Sequence, residues 1–215
     1  MCSGAYRTGP YTQQRLGQAV ANAVGNGSGL CREFRTINMK KHPSTFWLTG
    51  LSAAGKTTLA HALADSLAAA GLACQILDGD VVRQELCRDL GFSREDRCEN
   101  VRRVAQQCRK INEAGTWAIV ALISPYRADR ARARQIVGES KFFEVHLATP
   151  LSVCEARDPK GLYRKARTGD IANMTGIDDP YEVPLNPELR LDTGTQPLAE
   201  CVAAAIGLLR LGDIA

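Results

Sequence analysis

The feature that most constrains this chain is the stretch "GLSAAGKT" at residues 50–57, which matches G-x-x-x-x-G-K-[ST] without a gap. The apolar run "FWLTG" at 46–50 precedes it, and "KTTLAHALADSLAAAG" at 56–71 follows with leucines at helical spacing and a glycine stop. A strand, a glycine-bearing turn and a helix in this order predict a loop whose backbone N–H groups hold phosphates. The chain is therefore expected to bind a nucleoside triphosphate.

The positions of this loop have separate expected tasks. Lys56 is expected to reach the β- and γ-phosphates, and Thr57 to place its hydroxyl on Mg²⁺. Two interior alanines leave their N–H groups available, so we interpret them as tolerated. The predicted nucleotide contacts of the loop are Gly50, Leu51, Ser52, Ala53, Ala54, Gly55, Lys56, Thr57 and Thr58.

Beyond the loop, the apolar pattern alternates between strands and helices. Strands are predicted at 46–50, 73–80, 117–124, 142–149 and 189–193, and helices at 56–71, from Ser93 to about Glu113, at 129–137, after Pro150 and at 197–210. Residues 158–187, rich in Gly, Pro, Asp and Lys, are predicted to form a long ordered loop or lid. The pattern predicts an α/β fold of the P-loop nucleoside-triphosphate-hydrolase-like class, with a parallel sheet of about five strands, helices on both faces and a lid segment.

Composition disfavours several classes of protein. The net charge is +4 but no Lys/Arg-rich run occurs, so no nucleic-acid partner is expected. No apolar run approaches the ~18 residues of a membrane helix, and no secretory signal is visible, so a cytoplasmic protein without membrane contact is expected. The eight cysteines form no CxxC pair, which disfavours zinc. Reduced thiols are favoured over a redox disulfide through Cys87 or Cys98.

Residues 1–45 differ in composition from the domain predicted at 46–215. They carry six basic residues but one acid, Glu33, and contain the flexible break "GNGSG" at 25–29. Three interpretations stay open. The segment is a loosely ordered extension with a short helix in "TQQRLGQAVANAV", or an organellar transit peptide within 1–40, or translation starts at Met39.

Polar residues follow the second predicted strand, at the sheet edge where α/β folds bind ligands. Asp78 and Asp80 flank a glycine there; such acids hold Mg²⁺ or orient a hydroxyl nucleophile, or they are simply solvated turn acids. Arg83, Arg97 and Asn100 follow, and guanidinium and amide groups suit an anionic acceptor. Arg97 and Asn100 are three residues apart and share a helix face.

Six segments, in order, carry a resemblance to a known family. They are "GLSAAGKTTLA", "LDGDVVR", "DLGFSREDRCENVRRVA", "ISPYRADR", "FFEVHLATPLSVCEARDPKGLYRKARTGDI" and "TGIDDPYEVPLNPELRLDT". Over about Phe46 to Leu209 they resemble adenylylsulfate kinase, which phosphorylates the 3′-hydroxyl of adenosine 5′-phosphosulfate with ATP in sulfate activation. The resemblance implies ATP and Mg²⁺ as cofactors and adenosine 5′-phosphosulfate as the substrate. It also raises the expectation of a homodimer and of a functional association with ATP sulfurylase.

The resemblance implies roles around the reacting hydroxyl. Asp80 is expected to share Mg²⁺ with Thr57 and to orient or deprotonate the acceptor, beside the catalytic Lys56. Ser124 matches a serine assigned as a phosphoserine intermediate in bacterial members. No neighbouring histidine base is visible in the sequence to activate a serine, and transfer to a positioned hydroxyl needs no covalent step, so a substrate contact is the alternative role of Ser124.

The resemblance also implies how both nucleotides are held. Phe92 would stack on the substrate adenine or, alternatively, act as a helix-entry staple. Arg157 would lie near the ATP base, in a lid at 157–163 that excludes water from the reaction. The implied substrate contacts are Asp78, Arg83, Phe92, Arg97, Asn100, Ile123, Ser124, Lys160 and Met174.

Three positions depart from the family pattern, all expected on the acceptor side. Val81 stands where Asn is usual, Cys98 where an acid is common, and Met174 where Phe is usual. Because methionine still offers a polarizable contact, we expect altered substrate affinity rather than its loss. Two alternative functions stay open, namely another small-molecule P-loop kinase, for example of a nucleoside monophosphate, and a non-catalytic regulatory domain that binds the sulfated nucleotide.

Overall fold

The computed structural model describes residues 42–211, with side chains described up to residue 209. Five strands form its centre: β1 (Thr45–Gly50), β2 (Cys74–Asp78), β3 (Trp117–Ala121), β4 (Phe142–Leu147) and β5 (Leu189–Leu191). They form one parallel sheet in the order β2-β3-β1-β4-β5. The predicted parallel α/β fold of about five strands is confirmed. The short helix, the transit peptide and the Met39 start considered for residues 1–45 fall on residues outside the described part.

Helices connect the strands and cover both faces of the sheet. Within residues 42–211 they are α1 (Lys56–Ala69), α2 (Gly79–Glu85), α3 (Arg94–Glu113), α4 (Arg127–Val137), α5 (Leu151–Arg157), α6 (Leu162–Arg167) and α7 (Leu198–Leu211). One pair, α1 and α7, packs together on the sheet, and a second pair, α3 and α4, packs together on its other face. None of the helices in this range is long and apolar enough to cross a bilayer.

The alternation of side chains along the strands divides the core into two layers. Trp47, Val120 and Phe142 cluster with residues of α3 and α4, and the rings of Trp47 and Phe142 stack with their centroids 5.3 Å apart. Phe46 and Ile119, one position back on their strands, are also fully buried and therefore face the opposite layer. Burying a large apolar side chain on either face contributes roughly 2–3 kcal/mol.

Four strands end two or three residues earlier than predicted, at Asp78, Ala121, Leu147 and Leu191, and the first of these ends changes the position of a candidate catalytic acid. The strand predicted at 73–80 stops at Asp78, because its Oδ1 accepts the N–H of Asp80 at 3.0 Å and starts α2. Asp80 therefore lies in the first turn of a helix, not at the end of a strand. The helix predicted from Ser93 begins at Arg94, and Ser93 caps it, since its Oγ accepts the N–H of Asp96 at 3.1 Å.

The segment predicted as a long loop at 158–187 contains a helix, α6. The carboxylate of Asp158 accepts the N–H groups of Tyr163 and Arg164 at 3.2 and 3.0 Å. These bonds hold the first turn of α6, a helix that the sequence pattern did not reveal. Tyr163 is buried and donates its hydroxyl to Ser52 O at 3.0 Å. This contact ties the lid segment to the phosphate loop.

The buried His146 on β4 is a titratable group that the fold holds neutral. Its side chain is 4% exposed, its ring stacks on that of Tyr181, and its Nδ1 has no hydrogen-bond partner among the described residues. Burial, helped by Arg190 and Arg130, lowers the pKa of His146 to about 4. Because an unfolded histidine titrates near ~6.5, the folded state binds fewer protons between these values, and the free energy of unfolding falls as the pH drops through this range.

We expect His146→Gln to remove much of this acid sensitivity. Wild-type protein should lose about 2 kcal/mol of unfolding free energy through this group between pH 7 and pH 5, measured by urea denaturation. The control is His61→Gln, because His61 is exposed on α1 and its removal should leave the pH dependence unchanged. Equal pH dependence in wild type and His146→Gln would contradict the prediction.

Candidate functional site

The carboxyl ends of the strands open onto one large cavity of about 1050 Å³, at the edge where parallel sheets bind ligands. Three of the predicted nucleotide contacts do not line this cavity, namely Gly50, Leu51 and Ala54. The other predicted site residues all line it: Ser52, Ala53, Gly55, Lys56, Thr57, Thr58, Asp78, Asp80, Arg83, Phe92, Arg97, Asn100, Ile123, Ser124, Arg157, Lys160 and Met174.

The phosphate loop leaves β1 through backbone shapes that restrict its residues. A Cβ at Gly50 would lie 2.6 Å from Leu147 O, so only glycine allows β1 to end against β4. Ala53 has a φ of 59°, a left-handed conformation that costs a non-glycine residue roughly 1–2 kcal/mol. Ala54 is fully buried. The interpretation of the two alanines as tolerated is therefore incomplete. The backbone of Ala53 is strained, and the methyl group of Ala54 packs in the interior.

Lys56 places a buried ammonium group inside this loop. Its Nζ donates to Gly50 O at 3.0 Å and to Leu51 O at 2.6 Å. Burial lowers the pKa of Lys56 to about 8, against the opposing influence of Cys154 and Asp78. Since a desolvated cation is stabilised by a nearby anion, the loop favours a polyanionic ligand.

The acids beyond β2 are divided between two tasks. Thr57 Oγ1 donates to Asp78 Oδ2 at 2.7 Å, whereas Asp80 forms an ion pair with Lys160 of the lid segment. No group of three His, Cys, Asp or Glu side chains suited to a metal occurs among residues 42–209. Mg²⁺ does not require one, because it takes one or two protein oxygens together with phosphates and water. The oxygens of Thr57 and Asp78 fit such a site.

The opposite end of the cavity has an aromatic ring between two arginines. Phe92 is 60% exposed, and the guanidinium carbons of Arg83 and Arg97 lie 4.1 and 5.9 Å from its ring centroid. Burial and the neighbouring Arg97 lower the pKa of Arg83. Two cations this close, one of them partly desolvated, favour an anionic group at this end.

Arg97 and Asn100 both line the cavity but use their hydrogen-bond donors differently. Arg97 donates from Nε to Phe92 O at 3.1 Å, from Nη1 to Thr175 Oγ1 at 3.3 Å, and from Nη2 to Asn173 O at 2.7 Å. It therefore ties α3 to the loop at 173–179. Asn100 is buried, and its Nδ2 has no partner within the described part of the chain. A buried amide without a partner is costly, so this donor is available to a ligand.

The loop at 173–179 carries Met174 and touches the phosphate loop. Asp178 accepts the N–H groups of Asn173 and Met174 at 2.7 and 2.6 Å, which holds the loop closed. Met174 is 7% exposed and lines the cavity. A Cβ at Gly176 would lie 2.9 Å from Leu51 Cδ2. The loop at 173–179 therefore lies close to the phosphate loop at this point.

Ser124 lies at the cavity wall with its hydroxyl already bonded. Its Oγ accepts from Trp47 Nε1 and donates to Thr49 Oγ1, both at 3.1 Å. Its φ is 40°, and its carbonyl accepts from Arg130 Nη1 at 2.7 Å. These contacts fix the turn that follows β3.

Only one of the three departures from the family pattern lines the cavity. Met174 does so. Val81 is 49% exposed outside the cavity lining, and Cys98 is near Asp129 of α4, which together with burial raises the pKa of its thiol. Val81 and Cys98 therefore do not line the cavity, and the expectation that all three lie on the acceptor side stays a prediction.

Several residues that line the cavity were missed in the sequence. Those that follow β5 are Thr193, Gln196, Leu198 and Cys201, of which Thr193 contacts Arg157. Their position just beyond the last parallel strand was the available signal, because that edge binds ligands.

The family model, a curated relative and two solved structures indicate the same family. The model of the family described as adenylylsulphate kinase matches residues 42–192. An adenylyl-sulfate kinase of Citrobacter koseri is 48% identical over 193 residues, which cover 90% of this chain and 96% of the relative. The solved structure of a Mycobacterium tuberculosis APS kinase in complex with AMPPNP and APS has a TM-score of 0.76 and 43% identity, over 79% of this chain and 98% of that one. A hexameric APS kinase from Thiobacillus denitrificans has a TM-score of 0.58 and 36% identity, over 80% of this chain and 29% of that one.

Arg130 holds the turn after β3, and we expect it to stabilise the folded state. It is 2% exposed and donates to Glu144 Oε1 at 2.7 Å, to Ser124 O at 2.7 Å and to Glu182 O at 2.6 Å. We expect Arg130→Met to lower the unfolding free energy by about 3 kcal/mol, because it leaves a largely buried carboxylate and two carbonyls without this donor.

The matched control is Arg109→Met. Arg109 pairs with Glu113 on the surface, where the two side chains are 62% and 57% exposed, so its loss should change the unfolding free energy by less than about 0.5 kcal/mol. Urea denaturation of both variants measures the difference. Similar losses in the two variants would contradict the role given to Arg130.

Proposed function

The chain belongs to the adenylylsulphate kinase family, and we propose that it transfers the γ-phosphate of ATP to the 3′-hydroxyl of adenosine 5′-phosphosulfate. The observation that carries this proposal is a single cavity with an intact phosphate loop at one end and Arg83, Phe92, Arg97 and Asn100 at the other. The relative from Mycobacterium tuberculosis, whose structure holds AMPPNP and APS, supports the assignment of the two ends to donor and acceptor.

At the donor end, the loop and Lys56 bind the triphosphate. Its N–H groups and the amino end of α1 face phosphate oxygens. The ammonium of Lys56 stabilises charge that develops on the transferred group. Mg²⁺, held by Thr57 with Asp78 or, as the resemblance implies, Asp80, would neutralise phosphate charge when bound. Contact between Thr57 and Asp78 makes Asp78 the nearer carboxylate.

At the acceptor end, Asp80 orients or deprotonates the 3′-hydroxyl. Its carboxylate is ion-paired with Lys160, and both line the cavity between the phosphate loop and the arginines. The ion pair brings the lid to the reacting groups, and a closed lid excludes water that would otherwise hydrolyse ATP. Positioning and charge stabilisation are sufficient for this reaction, because phosphoryl transfer requires little covalent chemistry from the protein.

The sulfated nucleotide is held by charge and by aromatic contact. Arg83 and Asn100 supply donors to the phosphosulfate, while Arg97 orients the loop at 173–179 and adds charge. Phe92 and Met174 contact the adenine. Since the thioether replaces an aromatic face, its contact adds polarizable packing rather than ring stacking.

For Ser124 we propose a positioning role. Its hydroxyl is engaged by Trp47 and Thr49, and it fixes the turn that carries Ile123, which also lines the cavity. The phosphoserine intermediate implied by the resemblance stays a prediction, since the hydroxyl would have to leave both partners to accept a phosphate.

Assembly and location belong to the same proposal. The hexameric relative from Thiobacillus denitrificans supports self-association, of which a homodimer is the simplest form. An association with ATP sulfurylase, a cytoplasmic location, and a kinase domain starting at residue 46 rest on the resemblance and the composition alone.

Turnover tests the proposal directly. With ATP and Mg²⁺ present, adenosine 5′-phosphosulfate should support ADP release, while adenosine monophosphate should not. We expect Lys56→Ala to reduce this turnover at least about 10²-fold, since it removes the cation beside the transferred phosphate. Lys110→Ala, on the exposed end of α3, is the matched control and should retain wild-type turnover.

Two outcomes would replace the proposal. Release of ADP with the monophosphate alone would assign the chain to nucleoside monophosphate kinases. Binding of adenosine 5′-phosphosulfate without turnover in wild-type protein would assign it to non-catalytic regulatory domains.

A further inference from the structure

The hydroxyl of Thr193, just beyond β5, uses all of its hydrogen-bonding capacity within the donor end of the cavity. Its Oγ1 donates to Ala54 O at 2.9 Å and accepts from Arg157 Nη1 at 2.8 Å. A third contact, 3.0 Å long, joins it to Thr149 Oγ1 at the end of β4. A hydroxyl has one proton and two lone pairs, so these partners occupy it completely.

The first of these bonds fixes a peptide of the phosphate loop. In a planar trans peptide the C=O and the following N–H point in opposite directions. Because the Ala54 carbonyl points at Thr193, the Gly55 N–H points away from Thr193. A Cβ at Gly55, whose φ is 91°, would lie 3.2 Å from Thr193 Oγ1. The threonine thus contacts the loop at the point where the backbone turns into α1.

The second bond fixes Arg157. Its guanidinium donates from Nη1 to the Thr193 hydroxyl and from Nη2 to the Thr193 carbonyl at 2.7 Å. Two bonds from one planar group to one residue set its orientation as well as its position. Arg157 otherwise lies on the exposed end of α5, where a long side chain would sample many rotamers.

Thr193 is itself held by a closed turn. Gln196 Oε1 accepts the N–H of Asp192 at 2.7 Å, and Asp192 Oδ1 accepts the N–H of Gly194 at 2.8 Å. Thr193 is therefore held by turn contacts on both of its sides. It fixes the phosphate loop and Arg157 relative to the end of β5.

We propose that Thr193 is a positioning residue for the nucleotide donor, aligning the Gly55 peptide with the triphosphate and Arg157 with the base through one hydroxyl. The inference rests on the proposed function for its choice of donor. No described contact of Thr193 reaches Arg83, Phe92, Arg97 or Asn100, so the residue acts on the donor and not on the acceptor.

The test compares Thr193→Val, which keeps the shape but removes the hydroxyl, with Thr193→Ser, which keeps the hydroxyl. We expect Thr193→Val to raise the Kd for ADP, measured by calorimetry, and the KM for ATP about tenfold, and Thr193→Ser to stay within about twofold of wild type. The KM for adenosine 5′-phosphosulfate should stay within about twofold in both variants. Thr195→Val is the matched control, since Thr195 Oγ1 makes only a 3.4 Å contact with Asp192 O.

If Thr193→Val does not fold, Thr193→Ala, which also removes the hydroxyl, replaces it in the comparison. A double-mutant cycle supplies a second measurement. If Thr193 and Arg157 act together, the losses of ADP affinity in Arg157→Met, Thr193→Val and the double variant are non-additive. Additive losses, an unchanged Kd for ADP in folded Thr193→Val, or equal rises in KM for both substrates would each overturn it. If wild-type protein binds ADP but shows no turnover, while Thr193→Val still weakens ADP binding, the proposed function fails and the positioning role stands.

Discussion

The ammonium group of Lys56, buried against the carbonyls of its own loop, is the interaction on which the rest of the site depends. Its pKa falls to about 8 because burial removes water, so the folded chain maintains a cation at a cost that an anionic ligand offsets. Gly50 makes room for the turn against Leu147, and Ala53 adopts a left-handed conformation within it. The strain and the desolvation are located where a triphosphate would relieve them, a common arrangement at functional sites.

The strand order then determines which groups meet this cation. Since β1 is central, with β3 and β2 on one side and β4 and β5 on the other, the loop receives acids from the end of β2 and a fixed turn from the end of β3. On the other side of β1, Thr149 follows β4 and Thr193 follows β5, and their hydroxyl groups contact each other. In the proposed function, one side of the sheet thus supplies groups for the acceptor and for chemistry, and the other supports the donor.

Much of this could be predicted from the sequence, because the signals were local. The phosphate loop, the five strands and the arginines around residue 83 to 97 are each encoded in a short run of residues. The division of work between Asp78 and Asp80 was not predictable in this way, since it depends on the helix cap that Asp78 forms with the next turn. Thr193 was missed because β5 carries few residues and its contacts with Ala54 and Arg157 join distant parts of the chain.

The contact between Gly176 and Leu51 has a consequence for how such a chain can change over evolution. A Cβ at position 176 would lie 2.9 Å from Leu51 Cδ2, and the φ of 92° there strains any residue but glycine, so a larger residue at 176 requires the Leu51 side chain to shift and the backbone to change. The two positions are thus constrained together, although they are far apart in sequence. Sequence change in the loop at 173–179 is therefore limited by the shape of the phosphate loop. Correlated substitutions at positions 176 and 51 are the expected result.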